Sequence, residues 1–371
     1  MGRPRATPIR TRLSHPVYLG GDLPDLRAFA RGAFPRHRRV LVTQEGLDRL
    51  LAPALLALRR QLDGAPLLVT RRGERHKSRR EKERLEDALL ALGCGRDTLL
   101  VAVGGGTLTD LAGFAAATFL RGVPWVVVPS TLLGMVDAAL GGKTGVNVPA
   151  GKNLVGQFHL PAAVFESLCL LDTLPPREWR NGLGECLKHG LTSDAAYFAW
   201  LAETPLSRLR EGSSAVRRLV ETSVAIKGAI VAKDPLERSG ARHLLNAGHT
   251  VGHALEALSG YRVPHGAAVA AGLCWEAAVS CAEGRLARAD LREVAAAAAR
   301  HGFAPHWERF APSAVLAAAG ADKKNRGGEV RYVPLSAIGR PALPPPHTAP
   351  LTLAGLTAGR RLLRELGRRV P

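Results

Sequence analysis

The sequence predicts an α/β fold: a mostly parallel sheet in the N-terminal half and a mostly α-helical C-terminal half. Three observations carry this reading. Between residues 39 and 129, short apolar runs alternate with amphipathic stretches, the pattern of parallel strands joined by crossover helices. Helical periodicity takes over across 176–300. Between the two lies a glycine-rich polar region that begins where an apolar run stops at Gly104, Gly105 and Gly106, the place where an open parallel sheet meets its ligand.

The elements follow in order. Residues 1–12 are basic and lack the apolar stretch of a secretory signal, so they read as a loose tail. Residues 39–44 and 66–70 read as short strands, with a helix over 50–62 between them. A charged amphipathic helix over 79–92 stops at Gly93. Residues 98–103 form the next strand, 110–119 the next helix and 124–129 a further strand. A boundary near 165–175 separates a unit of residues 13–170 from one of residues 171–371. In the second, helices are expected over 195–202, 213–231, 244–259 and 267–282. Pro- and Gly-rich pieces near 302–350 separate the later helices, and a basic helical end covers 360–369. Polar clusters in both halves predict a site in the cleft between them.

Composition narrows the function. No apolar run reaches the length of a membrane span. Five cysteines (94, 169, 186, 274, 281) form no C-x-x-C pair, which suits small core residues in a reducing cytoplasm. The net charge of +19 invites nucleic acid, but the arginines are scattered and no aromatic-basic interleaving occurs; anionic small substrates fit equally well. Only nine lysines stand against 42 arginines, yet Lys143, Lys152, Lys188, Lys227 and Lys323 all lie inside polar clusters. Those positions select a compact ammonium.

The chemistry-bearing residues fall into three groups. Gly104, Gly105 and Gly106 permit close approach of backbone to a pyrophosphate, and Asp110, near the start of the next helix, either binds a ribose hydroxyl or caps that helix. Asp137, Lys143, Asn147, Lys152 and Asn153 form a glycine-rich knot suited to a polyhydroxylated anion. Gly142-Lys143-Thr144 is no P-loop, because Asp137 stands where that motif needs glycine. Glu185 and Lys188 share one helical turn, His249 and His253 share a helix face, and His265 follows. Histidines with a distant carboxylate are the ligand chemistry of a catalytic zinc with one open position. Spacing does not choose among Glu185, His189, His249, His253 and His265.

These strings resemble the 3-dehydroquinate synthases, within the wider sugar-phosphate cyclases. The matching pieces are Gly73-Glu74 and Lys77-Ser78; Gly104 to Asp110 with Gly113-Phe114; Arg121-Gly122; Val136 to Asn147; Gly151 to Gly156; Thr173 to Pro175; Gly184-Glu185 with Lys188; Leu245 to Glu256; His265-Gly266; and Asp322-Lys323-Lys324. The likeness covers roughly residues 40–340.

The resemblance implies a dehydroquinate synthase-like fold, with a Rossmann-like NAD-binding domain, a helical metal-binding domain and a homodimer. It implies Glu185, His249 and His265 as ligands of one divalent ion, zinc or cobalt. On the cofactor it implies Glu74, Lys77, Gly105, Gly106, Thr107, Asp110, Ser130, Thr131, Asp137, Lys143, Lys152 and Thr173. On the reacting substrate it implies Lys143, Lys152, Asn153, Lys188, Lys227, Glu237, Arg242, Asn246, His253 and Lys323, with Arg121 supplied by a partner subunit. The implied substrate is a phosphorylated sugar acid, 3-deoxy-D-arabino-heptulosonate 7-phosphate. The implied reaction is a closed redox cycle: oxidation of the C5 hydroxyl by NAD, β-elimination of phosphate, re-reduction, ring opening and an intramolecular aldol closure.

The sequence departs from the family pattern at four places. Gln44 or Glu45 stands where an acidic residue is usual near the adenosine ribose, Ser130 replaces a threonine, and Ala267 replaces a glutamate. Glu237 precedes Asn246 by nine residues where the family has eight, a rotation of about 100° if the segment were helical. Two rival readings are a sibling cyclase that makes another ring, such as an inosose, and a simple metal- and NAD-dependent alcohol dehydrogenase. Net NADH discriminates the latter.

Overall fold

In a computed structural model, which describes residues 7–9, 11–23, 25–211, 213–321 and 329–367, the N-terminal apolar runs assemble into one seven-stranded sheet. Its strands are β1 (Thr7–Pro8), β2 (Val17–Gly20), β3 (Arg38–Gln44), β4 (Leu67–Thr70), β5 (Thr98–Gly104), β6 (Trp125–Pro129) and β9 (Ala163–Ser167), in the order β1-β2-β9-β6-β5-β3-β4. All neighbours are parallel except β1 and β2. Strands β5, β6 and β9 are buried along their whole length, which is why β5 and β6 read as unbroken apolar runs rather than as alternation; β2 and β9, which ends in Glu166 and Ser167, lie outside the strands expected from sequence. Thr7–Pro8 lies in the expected tail but pairs with Leu19 and Tyr18; residues 1–6 lie outside the described residues.

Helices α1 (Leu26–Ala33) and α3 (Ala52–Gln61) pack Leu26, Ala30, Leu55 and Leu58 on one face of the sheet, against Leu41, Val101, Val103, Val126 and Val128. The helix expected over 50–62 is instead two pieces, α2 (Leu47–Leu50) and α3. Pro53, in the first turn of α3, has no N–H to continue the ladder. Helix α4 (Arg79–Ala91) begins where Ser78 accepts the N–H of Glu81 and ends before Gly93, whose φ is 67°. Helix α5 (Gly106–Thr118) starts four residues earlier than expected, because Gly105 serves as its N-cap.

The polar knot is a hairpin. Strands β7 (Lys143–Val148) and β8 (Gly151–Phe158) pair antiparallel, with Gly145 opposite Gly156. A Cβ on Gly156 would stand 2.0 Å from Thr144 O, so only glycine permits this pairing. Val146 turns inward onto Leu111 and Phe114 of α5.

The chain divides into units Met1–Glu178 and Trp179–Pro371, eight residues beyond the expected boundary of 170. The division falls within α6 (Pro176–Ser193). The second unit continues with α7 (Ala195–Glu203), α8 (Leu206–Glu211), α9 (Ser213–Lys233), α10 (His249–Leu258), α11 (His265–Ala282), α12 (Arg288–Arg300), α13 (Pro312–Gly320) and α14 (Leu353–Gly367). Two short antiparallel pairs, β10 (Arg331–Tyr332) with β13 (Ala349–Pro350) and β11 (Leu335–Ala337) with β12 (Arg340–Pro341), complete it. The helix expected over 244–259 breaks in two. A 3-10 segment, Ala241–Asn246, precedes Gly248, which has φ 75° and no space for a side chain beside Leu273.

Candidate active site

In the first unit the site residues collect around the carboxyl ends of β5 and β6. The three glycines let neighbouring side chains pack close against this turn. A Cβ on Gly104 would strike Leu108 at 2.5 Å, one on Gly105 would crowd Thr131 at 3.1 Å, and one on Gly106 would meet Ala138 at 3.0 Å. The turn delivers the N-terminus of α5, a natural anion site, with no side chain capping it. Beside it, Ser130 Oγ is buried at the end of β6 and has no hydrogen-bond partner among the described residues. Thr131 Oγ1 instead accepts the N–H of Gly134, opening a π-helical turn, Gly134–Ala138, that carries Asp137.

Asp110 does not cap α5. It is the fifth residue of that helix, and its Oδ2 pairs with Lys77 Nζ. Lys77 also donates to Asn153 Oδ1, and Asn153 N donates to Asn147 Oδ1 at 3.0 Å. Asn147 Nδ2 donates to Glu74 Oε1 at 2.8 Å, and Thr107 Oγ1 donates to Glu74 Oε2 at 2.9 Å. Glu74, Lys77, Thr107, Asp110 and Asn153 are thus one connected network, with Asn147 as its central link. Burial pushes Asp110 above the usual carboxylate range against the pull of Lys77, with Glu74 and Asp137 as like-charged neighbours. Burial works on Glu74 in the same sense, but Lys77, the hydrogen bonds from Asn147 and Thr107, and the charge of Lys152 hold it below its ordinary value.

Asn153 has φ 55°, and Arg121 has φ 72° in an exposed 3-10 turn; both are conformations that non-glycine residues seldom adopt and that concentrate at functional positions. Lys143 opens β7 and Lys152 lies on β8. Thr173 is exposed in the turn before α6, and Gln44 ends β3, while Glu45 accepts the N–H of Arg72.

In the second unit, Glu185, His249 and His265 come together. Glu185 Oε1 lies 3.4 Å from His249 Nε2 and 3.3 Å from His265 Nε2. Its Oε2 is paired with Lys188 Nζ, one turn along α6, and both side chains are buried. Each imidazole is anchored on its far side: His249 Nδ1 at Ala247 O, 3.1 Å away, and His265 Nδ1 at Glu256 Oε2, 3.4 Å away. Burial opposes ionisation of Glu185, but Lys188, His249 and His265 hold it well below the usual range. Burial pushes His249 well below its ordinary value against the pull of Glu185, whereas the carboxylates Glu185 and Glu256 overcome burial at His265 and raise it to about 10.

A divalent ion fits this donor set. One buried carboxylate oxygen without a well-formed hydrogen bond faces two Nε2 atoms, and the other ring nitrogens are tied to a carbonyl and a carboxylate, the usual outer support of a metal-binding histidine. His253, Glu256 and His265 form a second close group, with the His253 ring 5.2 Å from that of His249. There His265 would have to use the nitrogen that Glu256 holds.

The helices that carry Glu185, His249 and His265 touch through glycine. A Cβ on Gly184 would stand 2.3 Å from Gly266 O, one on Gly266 would stand 2.1 Å from Asn181 O, and one on Gly272 would stand 2.0 Å from Gly248 O. Each of Glu185, His249 and His265 therefore stands next to a glycine at which two main chains meet.

Lys227 is buried on α9 and Arg242 is buried in the 3-10 segment that ends at Asn246. Arg242 Nη1 donates to Pro235 O at 2.9 Å. Glu237 is not helical. It sits at φ 55° in the loop after α9, so the extra residue before Asn246 produces no helical rotation. Asp234 organises that loop, accepting the N–H groups of Arg238, Ser239 and Arg242. Lys323 lies outside the described residues. Glu256, the histidine partner behind His265, is signalled in the sequence only by standing three residues after His253.

Comparison with known proteins identifies the family. Family models described as 3-dehydroquinate synthase N-terminal and 3-dehydroquinate synthase C-terminal match residues 67–181 and 182–325. The chain is 44% identical over 269 residues to a 3-dehydroquinate synthase of Nitrosospira multiformis, covering 72% of this chain and 73% of the relative. The fold is similar to that of a 2-epi-5-epi-valiolone synthase from Streptomyces hygroscopicus, solved with NAD+ and Zn2+, at a TM-score of 0.84, 27% identity and coverage of 99% and 100%. It is also similar to that of a 2-deoxy-scyllo-inosose synthase solved with carbaglucose-6-phosphate, NAD+ and Co2+, at a TM-score of 0.81, 23% identity and coverage of 97% and 99%.

Proposed function

The chain belongs to the 3-dehydroquinate synthase family, and from that membership we propose that it converts 3-deoxy-D-arabino-heptulosonate 7-phosphate to 3-dehydroquinate and inorganic phosphate. The observation that carries the reading is the convergence of one buried Glu185 oxygen with Nε2 of His249 and His265. Glu185, His249 and His265 would hold the divalent ion. The N-terminus of α5, Ser130 Oγ and the network from Glu74 to Asp110 would hold NAD. Bound, the nicotinamide supplies a reversible hydride sink and the ion a Lewis acid for the reacting hydroxyl.

The chain's own residues do the positioning. Lys188 neutralises Glu185 and leaves its other oxygen turned to the imidazoles. In this reading, as the family resemblance implies, Lys143, Lys152 and Asn153 of the first unit and Lys188, Lys227, Glu237, Arg242, Asn246 and His253 of the second act on the sugar acid and its phosphate; the resemblance adds Lys323, which lies outside the described residues. Ammonium and guanidinium groups suit an anion at each end of the substrate. Arg121, exposed on its strained turn, is offered to a second copy of the chain in a homodimer. The proposal includes a cytoplasmic location, a setting that five cysteines without a C-x-x-C pair suit. No helix among the described residues is long and apolar enough to cross a membrane.

The test is phosphate release from the heptulosonate phosphate with catalytic NAD, before and after chelation. Chelator-sensitive release with no net NADH supports the reading; accumulation of NADH would favour a dehydrogenase. A sibling ring-forming activity is the second reading, favoured by the full-length likeness to the valiolone synthase. Product analysis separates the two.

A further inference from the structure

Helix α10 starts at His249, and its N-cap is Gly248, which has no side chain to satisfy the free N–H groups of the first turn. They are satisfied from another helix. Glu276, buried in α11, accepts the N–H of Gly248 at 2.7 Å through Oε2 and the N–H of Val251 at 3.1 Å through Oε1, and the N–H groups of Thr250 and Val333 also point at it. Glu276 follows His265 by eleven residues, three helical turns with a residual offset of about 20°, so the two share one stripe of α11. Between them on that stripe, Ala268 meets Gly252, and Gly272 meets Gly248. One helix thus supplies His265 at its start and, three turns on, grips both sides of His249 by the main chain.

We propose that Glu276 is a positioning residue for the metal centre, fixing His249 relative to His265 by capping α10 from α11. The inference rests on the reading of Glu185, His249 and His265 as ligands. Glu276→Gln keeps the shape but turns one acceptor into a donor facing N–H groups, so the first turn of α10 must shift and His249 with it.

The test is titration of the metal-free full chain with cobalt(II) against a competing chelator, together with the visible absorption spectrum of the bound cobalt. Glu276→Gln is expected to weaken cobalt binding roughly tenfold to a hundredfold and to alter the spectrum while the protein stays folded by circular dichroism. Glu276→Asp, which keeps the charge, is expected to recover part of the affinity. Trp275→Phe controls for stability. It removes the bond from Nε1 to Leu356 O, 2.9 Å, next door on α11, and should lower the melting temperature without changing the cobalt spectrum. Unchanged affinity and spectrum in Glu276→Gln, or equal losses in Trp275→Phe, would overturn the proposal. His265→Ala tests the premise separately: undiminished cobalt binding in that variant would overturn the metal assignment and this inference with it.

Discussion

Glu256 Oε2 lies 3.4 Å from His265 Nδ1, on the side of the ring away from Glu185. The imidazole is held between two carboxylates, Glu185 on one side and Glu256 on the other. Glu256→Gln should therefore loosen the ring and lower metal affinity by roughly tenfold to a hundredfold. His265→Ala should lose the metal altogether and with it turnover. Elemental analysis of both purified variants checks the order; wild-type metal content in His265→Ala would remove it from the ligand set.

Lys77→Met tests the cofactor-side network. It strips a buried ammonium from Asp110 and Asn153 at once. An uncompensated carboxylate in that setting costs about 3 kcal/mol, read as a lower urea midpoint, and NAD affinity should fall in parallel. An unchanged midpoint would exclude an uncompensated charge at Asp110, which either takes up a proton or finds another partner.

Gly184→Ala should destabilise the second unit by about 1–3 kcal/mol, because its Cβ would stand 2.3 Å from Gly266 O and one helix must move. The movement displaces Glu185, so metal content should drop with the melting temperature. Retention of both would mean that α6 slides freely.

Asp234 predicts an acid limb. Burial opposes its charge, but N–H groups of Ser239, Arg238 and Arg242 bring it down from 3.8 to about 2. A carboxyl so depressed binds fewer protons when folded. It stabilises above its ordinary value, and that stabilisation drains away as pH falls from 3.8 through 2. Asp234→Asn should flatten stability over that window and loosen the loop that carries Glu237. Urea midpoints at pH 5 and pH 2.5 measure it: an equal difference between wild type and variant at both would exclude this group.

Four of the sheet's seven strands, β3 to β6, were legible because buried parallel strands leave unbroken runs such as Thr98–Gly104; β1 and β2 are too short to stand out, and β9 carries Glu166 and Ser167. The pairing of Glu185 with Lys188 was legible because helical spacing is fixed. The hairpin was not, since most of β8 is solvent-facing and shows no alternation. Nor was the break before α10, where the decisive fact is Leu273 filling the space beside Gly248 from another helix. Glu276 left no local signal either. Within α11 it is one acidic residue on a long apolar helix, and its N–H partners lie more than twenty residues away along the chain. Contacts of that kind belong to the folded state.

The glycines at 184, 248 and 266 have a consequence for how this chain can change. Because main chain meets main chain beside each of Glu185, His249 and His265, the spacing of those side chains is set first by backbone contact. Leu183, Leu187 and Val269 are buried and can be exchanged only for apolar residues of similar volume. The same construction gives the three glycines no latitude at all. In a library of variants selected for activity, the neighbouring hydrophobic positions should drift and these three should stay fixed.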